Sequence, residues 1–165
     1  MNNILVEELK ENLHYDPETG RFIWVKAIGR KIRVGDIAGY FHKESGYIRI
    51  CIGGKIYRAH RLAWVYMMGE MPKEFIDHIN NDRTDNRFCN LREATKTQNN
   101  QNIIKVKGNN TTGFLGVSFS KKEDRYIAQI SIGNKSKFIG YFATPEEAHQ
   151  AYLDKKRQMH EFCTI

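Results

Sequence analysis

Long apolar runs and paired cysteines are both missing from this chain of 165 residues. No stretch approaches the roughly 18 consecutive apolar residues that a membrane-crossing helix needs, so no membrane partner is expected. Cysteine occurs three times, at Cys51, Cys89 and Cys163, far apart and without a Cys-x-x-Cys pair. A scattered, odd set supports neither a disulfide framework nor a zinc knuckle, and a reducing compartment is its simplest setting. Met1-Asn2-Asn3-Ile4 lacks the basic-then-apolar pattern of a secretory signal, so the expected location is cytoplasmic. Tandem repeats and low-complexity tracts are absent too.

Acidic residues are outnumbered. Lysine and arginine total 26 against 19 aspartates and glutamates, a formal net charge of +7. The excess is spread along the chain: 16 basic against 13 acidic in residues 1–103, and 10 against 6 thereafter. A polyanion is the natural partner of such a surface. Hydrophobic content of 41% with 12% aromatics argues against disorder, and the length suits one domain or two small ones.

Residues 4–13 suit a short helix. Asp16-Pro17-Glu18-Thr19-Gly20 is a turn signal followed by a strand over 21–25. The stretch 47–52 alternates, with Ile48, Ile50 and Ile52 on one face, and Gly53-Gly54 supplies a two-residue turn into a return strand over 55–59. Residues 15–59 therefore read as a small antiparallel meander. The spacing of Leu62, Ala63, Val65, Tyr66 and Met67 predicts a helix over 60–69, ending at glycine. A strand over 75–79, a polar loop over 80–87 and a second strand over 88–92 follow. Thr95-Lys96-Thr97-Gln98 fits a capping box that opens a helix running to about Asn102.

That strand–loop–strand–helix order sets Asp77 and His78 beside each other and puts Asn99 22 positions after the acid. Hydrolysis of a phosphodiester requires a deprotonated water, charge neutralisation at phosphorus and stabilisation of the leaving oxygen. A neutral histidine can take the proton, and a hard divalent ion with oxygen ligands serves the other two needs. The Asp77 carboxylate and the Asn99 carboxamide are candidate ligands, and His78 is the candidate base. Asn90 is placed to bridge the loop and hold His78 in orientation. Asn81 and Asp85 read as turn formers. His60 reads as a packed or capping histidine, with a phosphate contact as its functional alternative.

His60-Arg61-Leu62-Ala63-Trp64, Pro72, Ile76-Asp77-His78-Ile79-Asn80, Asp85-Asn86-Arg87, Asn90-Leu91-Arg92 and Gln98-Asn99 together resemble the HNH endonucleases of the ββα-metal fold. The likeness is to the phage- and intron-borne homing type and covers about residues 15–102. It implies that Asp77 and Asn99 bind the metal, Mg²⁺ or Mn²⁺, that His78 is the general base, and that Asn90 stabilises the loop. Asparagine rather than histidine stands at Asn99, a variation similar to known homing members that suits magnesium better than zinc. The missing cysteine pairs separate the chain from the zinc-stapled HNH branch.

Residues 103–113 are polar, basic and glycine-containing, as a linker would be. Three strand signals follow, over 115–119, 125–132 and 137–142, with Gly133-Asn134 as the tight turn between the last two. Thr144-Pro145-Glu146-Glu147 is a second capping box, and its helix is expected to bury Ala148, Ala151, Tyr152 and Met159. Alternation assigns Tyr126, Ala128, Ile130 and Ile132 to the covered face, leaving Arg125, Ile127, Gln129 and Ser131 on the open one.

Gly116-Val117, Tyr126-Ile127-Ala128-Gln129-Ile130, Phe138-Ile139-Gly140-Tyr141-Phe142 and the second capping box resemble the plant Apetala/ethylene-response-factor DNA-binding domain. This resemblance implies DNA contacts from Ser118, Ser120, Arg125, Gln129, Ser131, Ser136 and Phe138. Apart from it, Lys121, Lys122, Lys135 and Lys137 are candidates to grip phosphates by charge. Serines stand at Ser118, Ser120, Ser131 and Ser136 where the plant domains carry arginines. A bidentate arginine–guanine contact is worth ~1–3 kcal/mol of discrimination, so the plant target sequence does not carry over.

The expected protein is α+β: an N-terminal antiparallel meander leading into a ββα-metal nuclease unit, then a three-stranded antiparallel sheet packed on one helix. Residues 1–102 form the nuclease domain with its core at about 74–102, residues 103–113 the linker, and residues 114–165 the DNA-binding domain. The expected activity is metal-dependent nicking of double-stranded DNA by a monomer, in the host-cell cytoplasm if the chain is phage-encoded. The rival is a non-catalytic, sequence-specific DNA-binding regulator built on a degenerate nuclease unit.

Overall fold

A computed structural model describes residues 6–104, 106, 108, 110–133 and 135–164. The chain folds as two compact units, Met1–Thr95 and Lys96–Ile165. The expected linker therefore falls inside the second unit, and the division comes earlier, between Thr95 and Lys96.

In the first unit, α1 (Val6–Asn12) leads directly into β1 (Leu13–Asp16), which pairs antiparallel with β2 (Arg21–Trp24). The Asp16 carboxylate accepts from the Glu18 and Thr19 amides and closes the turn between them. A third strand, β3 (Ile37–Ala38), pairs with β2. A second three-stranded sheet is built from β4 (Tyr40–His42), β5 (Tyr47–Ile52) and β6 (Lys55–Arg58). The meander is thus two sheets rather than one, since Gly39 breaks the chain between β3 and β4.

Helix α2 (Ala59–Met68) follows β6 and buries Ala59, His60, Leu62, Ala63 and Val65. Gly69 ends it in the left-handed conformation, its amide bonding the Val65 carbonyl. Leu9, Leu13, Tyr15, Phe22, Trp24, Ile50, Ile52, Leu62, Val65, Ile76 and Leu91 close one core beneath both sheets and α2.

The last element of this unit is the antiparallel pair β7 (Phe75–His78) and β8 (Leu91–Ala94). A strand was expected from residue 88; Phe88–Asn90 is instead a turn of 3₁₀ helix closed by the Asn90 amide on the Arg87 carbonyl. The turn aims the Asn90 side chain back into the loop, which a strand there would not do.

Helix α3 (Lys96–Gln101) opens the second unit immediately after Thr95, the start that the sequence signal predicts. The unit's sheet has β10 (Arg125–Ile132) in the centre, flanked by β9 (Val117–Ser120) and β11 (Lys135–Phe142). Of the expected Gly133-Asn134 turn, Asn134 lies outside the described residues. Helix α4 (Pro145–Met159) carries the full capping box: Thr144 Oγ1 accepts from the Glu147 amide, and Glu147 reaches back to the Thr144 amide. Val117, Ala128, Ile130, Ala148 and Tyr152 form the core between sheet and helix.

Met159 is 38% exposed, whereas Lys156, one turn earlier, is 1% exposed. Periodicity assigned burial to the apolar residue. In fact Lys156 lays its stem along Tyr152 and donates from Nζ to the Ile103 carbonyl, 2.8 Å away.

Candidate active site

Strand β7 ends in Ile76-Asp77-His78, and all three side chains are buried. The register pairs Asp77 with Arg92 and His78 with Leu91 on β8. Arg92 answers the carboxylate directly, with Nη2 at 2.9 Å and Nε at 3.0 Å from Asp77 Oδ2. Leu91 instead packs in the core, anchoring the hairpin beneath the polar loop.

Many of the hydrogen bonds within the loop over 79–90 are made by its own asparagines and aspartates. Asn90 Oδ1 accepts from the Asn80 amide at 2.9 Å, while Asn90 Nδ2 donates to Asn80 Oδ1 at 2.9 Å and to the Asp85 carbonyl at 2.8 Å. The Ile79 amide donates to the Asn90 carbonyl. One buried amide thereby ties both ends of the loop together. Asn81 takes a left-handed conformation, φ 62°, and its amide bonds the His78 carbonyl. Asp85 accepts from Arg87 and from Asn80 Nδ2. The Arg87 hydrogen bonds, foremost among its surroundings, pull the Asp85 carboxyl down to about 2.

His78 sits in a nest of rings and one amide. Tyr47 and His60 lie against it, with ring centroids 5.9 and 4.9 Å from its own. Its Nε2 stands 3.4 Å from Asn86 Oδ1. Burial lowers the His78 pKa below its ordinary value; the Asn86 bond and the nearby Asp77, Asp82 and Asp85 oppose that shift without reversing it. The imidazole is consequently neutral at pH 7, as a general base must be.

His60, for which a phosphate contact was the functional alternative, is 3% exposed and stands edge-on to His78. Burial first, and then the nearby His78, Arg58, Arg61 and Arg83, hold its pKa well below 6.5. Tyr47 is flanked by Arg58 and Arg83, whose guanidinium carbons lie 4.8 and 5.0 Å from its ring centroid. A basic, aromatic rim thus surrounds the neutral pair of imidazoles.

Residues 57–101 match the HNH endonuclease family. The matched stretch takes in α2, the β7–β8 hairpin with its loop, and α3. Protein 3.8 of Escherichia phage T7 is 32% identical over 79 residues, 47% of this chain. The chain spans 64% of the length of that curated relative. No solved structure matches.

Asp77, His78 and Asn90 therefore come together on one hairpin of the first unit, whereas Asn99 lies on α3 in the second. Sequence reasoning gave no role to three residues that the structure sets around the loop. Arg92 and Asn86 both lie inside motifs that carried the HNH resemblance, so a signal existed. Tyr15 had none: it donates to the Asn86 carbonyl at 2.6 Å from 71 positions away.

In the second unit, cross-strand register puts Ser118 opposite Ile127, Ser120 opposite Arg125, Phe138 opposite Gln129 and Ser136 opposite Ser131. These positions share the face of the sheet turned away from the α4 core, as expected. Lys137 pairs with Ile130 and so belongs to the other face, although its side chain is exposed. Lys122 lies in the β9–β10 turn, its Nζ 3.5 Å from Glu123 Oε1. Among the described residues no helix is long and apolar enough to cross a membrane.

Proposed function

We propose that this protein is a divalent-metal-dependent DNA endonuclease of the homing type, which binds double-stranded DNA as a monomer and nicks it. The observation that carries the reading is the Asp77-His78 pair at the end of β7. A buried carboxylate adjoins an imidazole kept neutral by its surroundings, and an asparagine clamp fixes the loop that follows. The match of residues 57–101 to the HNH endonucleases supports the same chemistry.

His78 takes a proton from a water molecule as that water's oxygen attacks phosphorus. The bond from phosphorus to the 3′ oxygen breaks, and the departing oxygen is protonated from solvent. Products would carry 5′-phosphate and 3′-hydroxyl ends. General-base catalysis of this kind contributes ~10²–10⁴ in rate. Asp77 offers a carboxylate oxygen and Asn99 an amide oxygen, each a hard donor of the kind that suits Mg²⁺ or Mn²⁺. Such an ion, when bound, supplies charge neutralisation at phosphorus and at the leaving oxygen. Arg92 orients the Asp77 carboxylate through its contact with Oδ2.

The second unit would hold the duplex. Its open sheet face presents Ser118, Ser120, Arg125, Gln129, Ser131 and Phe138 to a groove, in the manner of the plant domain it resembles, with Lys122 meeting phosphates, whereas Lys137, on the other face, is not a candidate for that contact. Serines in place of arginines make this contact weakly selective, so sequence preference would be broad at these positions.

Plasmid nicking tests the reading. Wild type with Mg²⁺ should convert supercoiled DNA to open circle, and EDTA or His78→Ala should stop the conversion while gel-shift affinity persists. A wild-type protein that shifts the plasmid but never nicks it with Mg²⁺ or Mn²⁺ would establish the rival, a DNA-binding regulator without catalysis.

A further inference from the structure

A histidine acts as a base only from the ring nitrogen that lacks a proton, so something must decide which nitrogen that is. Around His78 the decision is legible in a short chain of hydrogen bonds. Asn86 Nδ2 donates to the Thr84 carbonyl at 3.1 Å, which fixes the orientation of the Asn86 amide. Its oxygen is therefore the atom 3.4 Å from His78 Nε2. A carboxamide oxygen only accepts hydrogen bonds, so Nε2 must carry the proton and Nδ1 the lone pair.

Asn86 is itself buried and held from a distant part of the chain. The Tyr15 hydroxyl donates to its carbonyl at 2.6 Å, and burial keeps that phenol protonated by raising its pKa. The Pro17 carbonyl accepts from the Phe88 amide at 3.2 Å. Gly20 completes the brace: a Cβ there would stand 2.4 Å from the Arg87 nitrogen and 2.5 Å from the Asn86 carbonyl carbon. The β1–β2 hairpin thus presses, through one hydroxyl, one carbonyl and one missing side chain, on the residue that faces the imidazole.

We infer that Asn86 is a positioning residue that fixes His78 in its Nε2-protonated tautomer, and that the β1–β2 hairpin, through Tyr15, Pro17 and Gly20, holds Asn86 in place. Asn86 touches neither substrate nor metal in this scheme. The inference rests on the proposed role of His78 as base, but its structural half, the tautomer, is measurable without any cleavage.

The test is long-range ¹H–¹⁵N correlation of the imidazole nitrogens in the full-length protein at neutral pH, with His78 assigned by comparison with His78→Gln. Single-turnover nicking is followed in parallel. Wild type should show the Nε2-protonated pattern. Asn86→Leu, which removes the acceptor, should mix the tautomers and lower the cleavage rate about 10–100-fold, with KM and duplex affinity unchanged. Asn86→Asp, which keeps an oxygen toward the ring, should restore the tautomer and most of the rate. Tyr15→Phe preserves the packing and loses only the hydroxyl; it should give a smaller loss of the same kind, and it stands in if Asn86→Leu does not fold. An Nδ1-protonated His78 in wild type, or an unmoved tautomer and rate in both Asn86→Leu and Tyr15→Phe, would overturn the inference. A wild type that shows the Nε2-protonated pattern yet never cleaves would instead overturn the nuclease reading and leave the positioning chain standing.

Discussion

Arg92 brings two nitrogens, Nε and Nη2, to 3.0 and 2.9 Å from a single oxygen of Asp77. Arg92 is one partner of the buried Asp77 carboxylate, and truncating one member of a largely buried ion pair costs up to about 3–5 kcal/mol. Arg92→Met should therefore lower the urea midpoint strongly in EDTA. If Asp77 also ligates a cation, saturating Mg²⁺ should recover part of that loss by mass action. Equal destabilisation with and without Mg²⁺ would remove Asp77 from the list of ligands.

Asn90→Ala deletes one acceptor and one donor that together serve the Asn80 amide, Asn80 Oδ1 and the Asp85 carbonyl. Leaving such groups unpaired costs about 1–3 kcal/mol each where water cannot reach them. A net loss of about 2–4 kcal/mol is expected, and thermal unfolding of the full chain should show it. At about 4–8 °C per kcal/mol for a unit of this size, the first transition would move by about eight degrees or more. A shift below 2 °C would mean that the clamp is dispensable.

Gly20 and Gly29 make a matched pair of probes. Both have positive φ, +70° and +64°, but an added Cβ meets the Asn86–Arg87 backbone at Gly20 and nothing within 4 Å at Gly29. Gly29→Ala should cost only the conformational penalty of a left-handed alanine, about 1–2 kcal/mol. Gly20→Ala should cost that and the clash as well, and only it should slow nicking. Equal effects of the two substitutions on stability and rate would show that the hairpin and the loop do not bear on each other.

Stability should fall on the acid side. Burial holds the His60 pKa well below 6.5, and its Nδ1 has no hydrogen-bond partner among the described residues. The unfolded chain protonates this residue near pH 6.5 while the folded chain does not, so lowering the pH favours the unfolded state. The contribution is constant above about pH 7.5, and below about pH 6.5 stability is lost at up to ~1.4 kcal/mol per unit for one group. His78, whose pKa is also lowered, adds in the same direction. Urea midpoints at pH 5.5 and 7.5 should differ less in His60→Phe than in wild type; an unchanged difference would show that His60 does not carry the dependence.

Much of this arrangement could be read from local pattern. The Gly53-Gly54 hairpin, α2 with its terminal glycine, the α4 capping box and the face assignment of β10 all depend on residues a few positions apart, and each stands where spacing put it. Asp77, His78 and Asn90 share one hairpin for the same reason. Sequence pattern failed where a single side chain works against its class. Lys156 is interior because its amine finds a carbonyl, and Phe88–Asn90 is a turn because Asn90 has to point inward. It failed also for Tyr15, whose polar partner lies far along the chain and leaves no periodic trace.

That last contact bears on how the chain comes to its native state. Closing a loop of 71 residues takes entropy that short-range pairings do not, so the bond between Tyr15 and Asn86 should be among the later ones to form. During synthesis the β1–β2 hairpin leaves the ribosome well before the segment it must grip. His78, the proposed base, would then lack its support until the polypeptide has emerged past residue 90, and a fragment trimmed to residues 57–101 would possess the matched residues without their anchor.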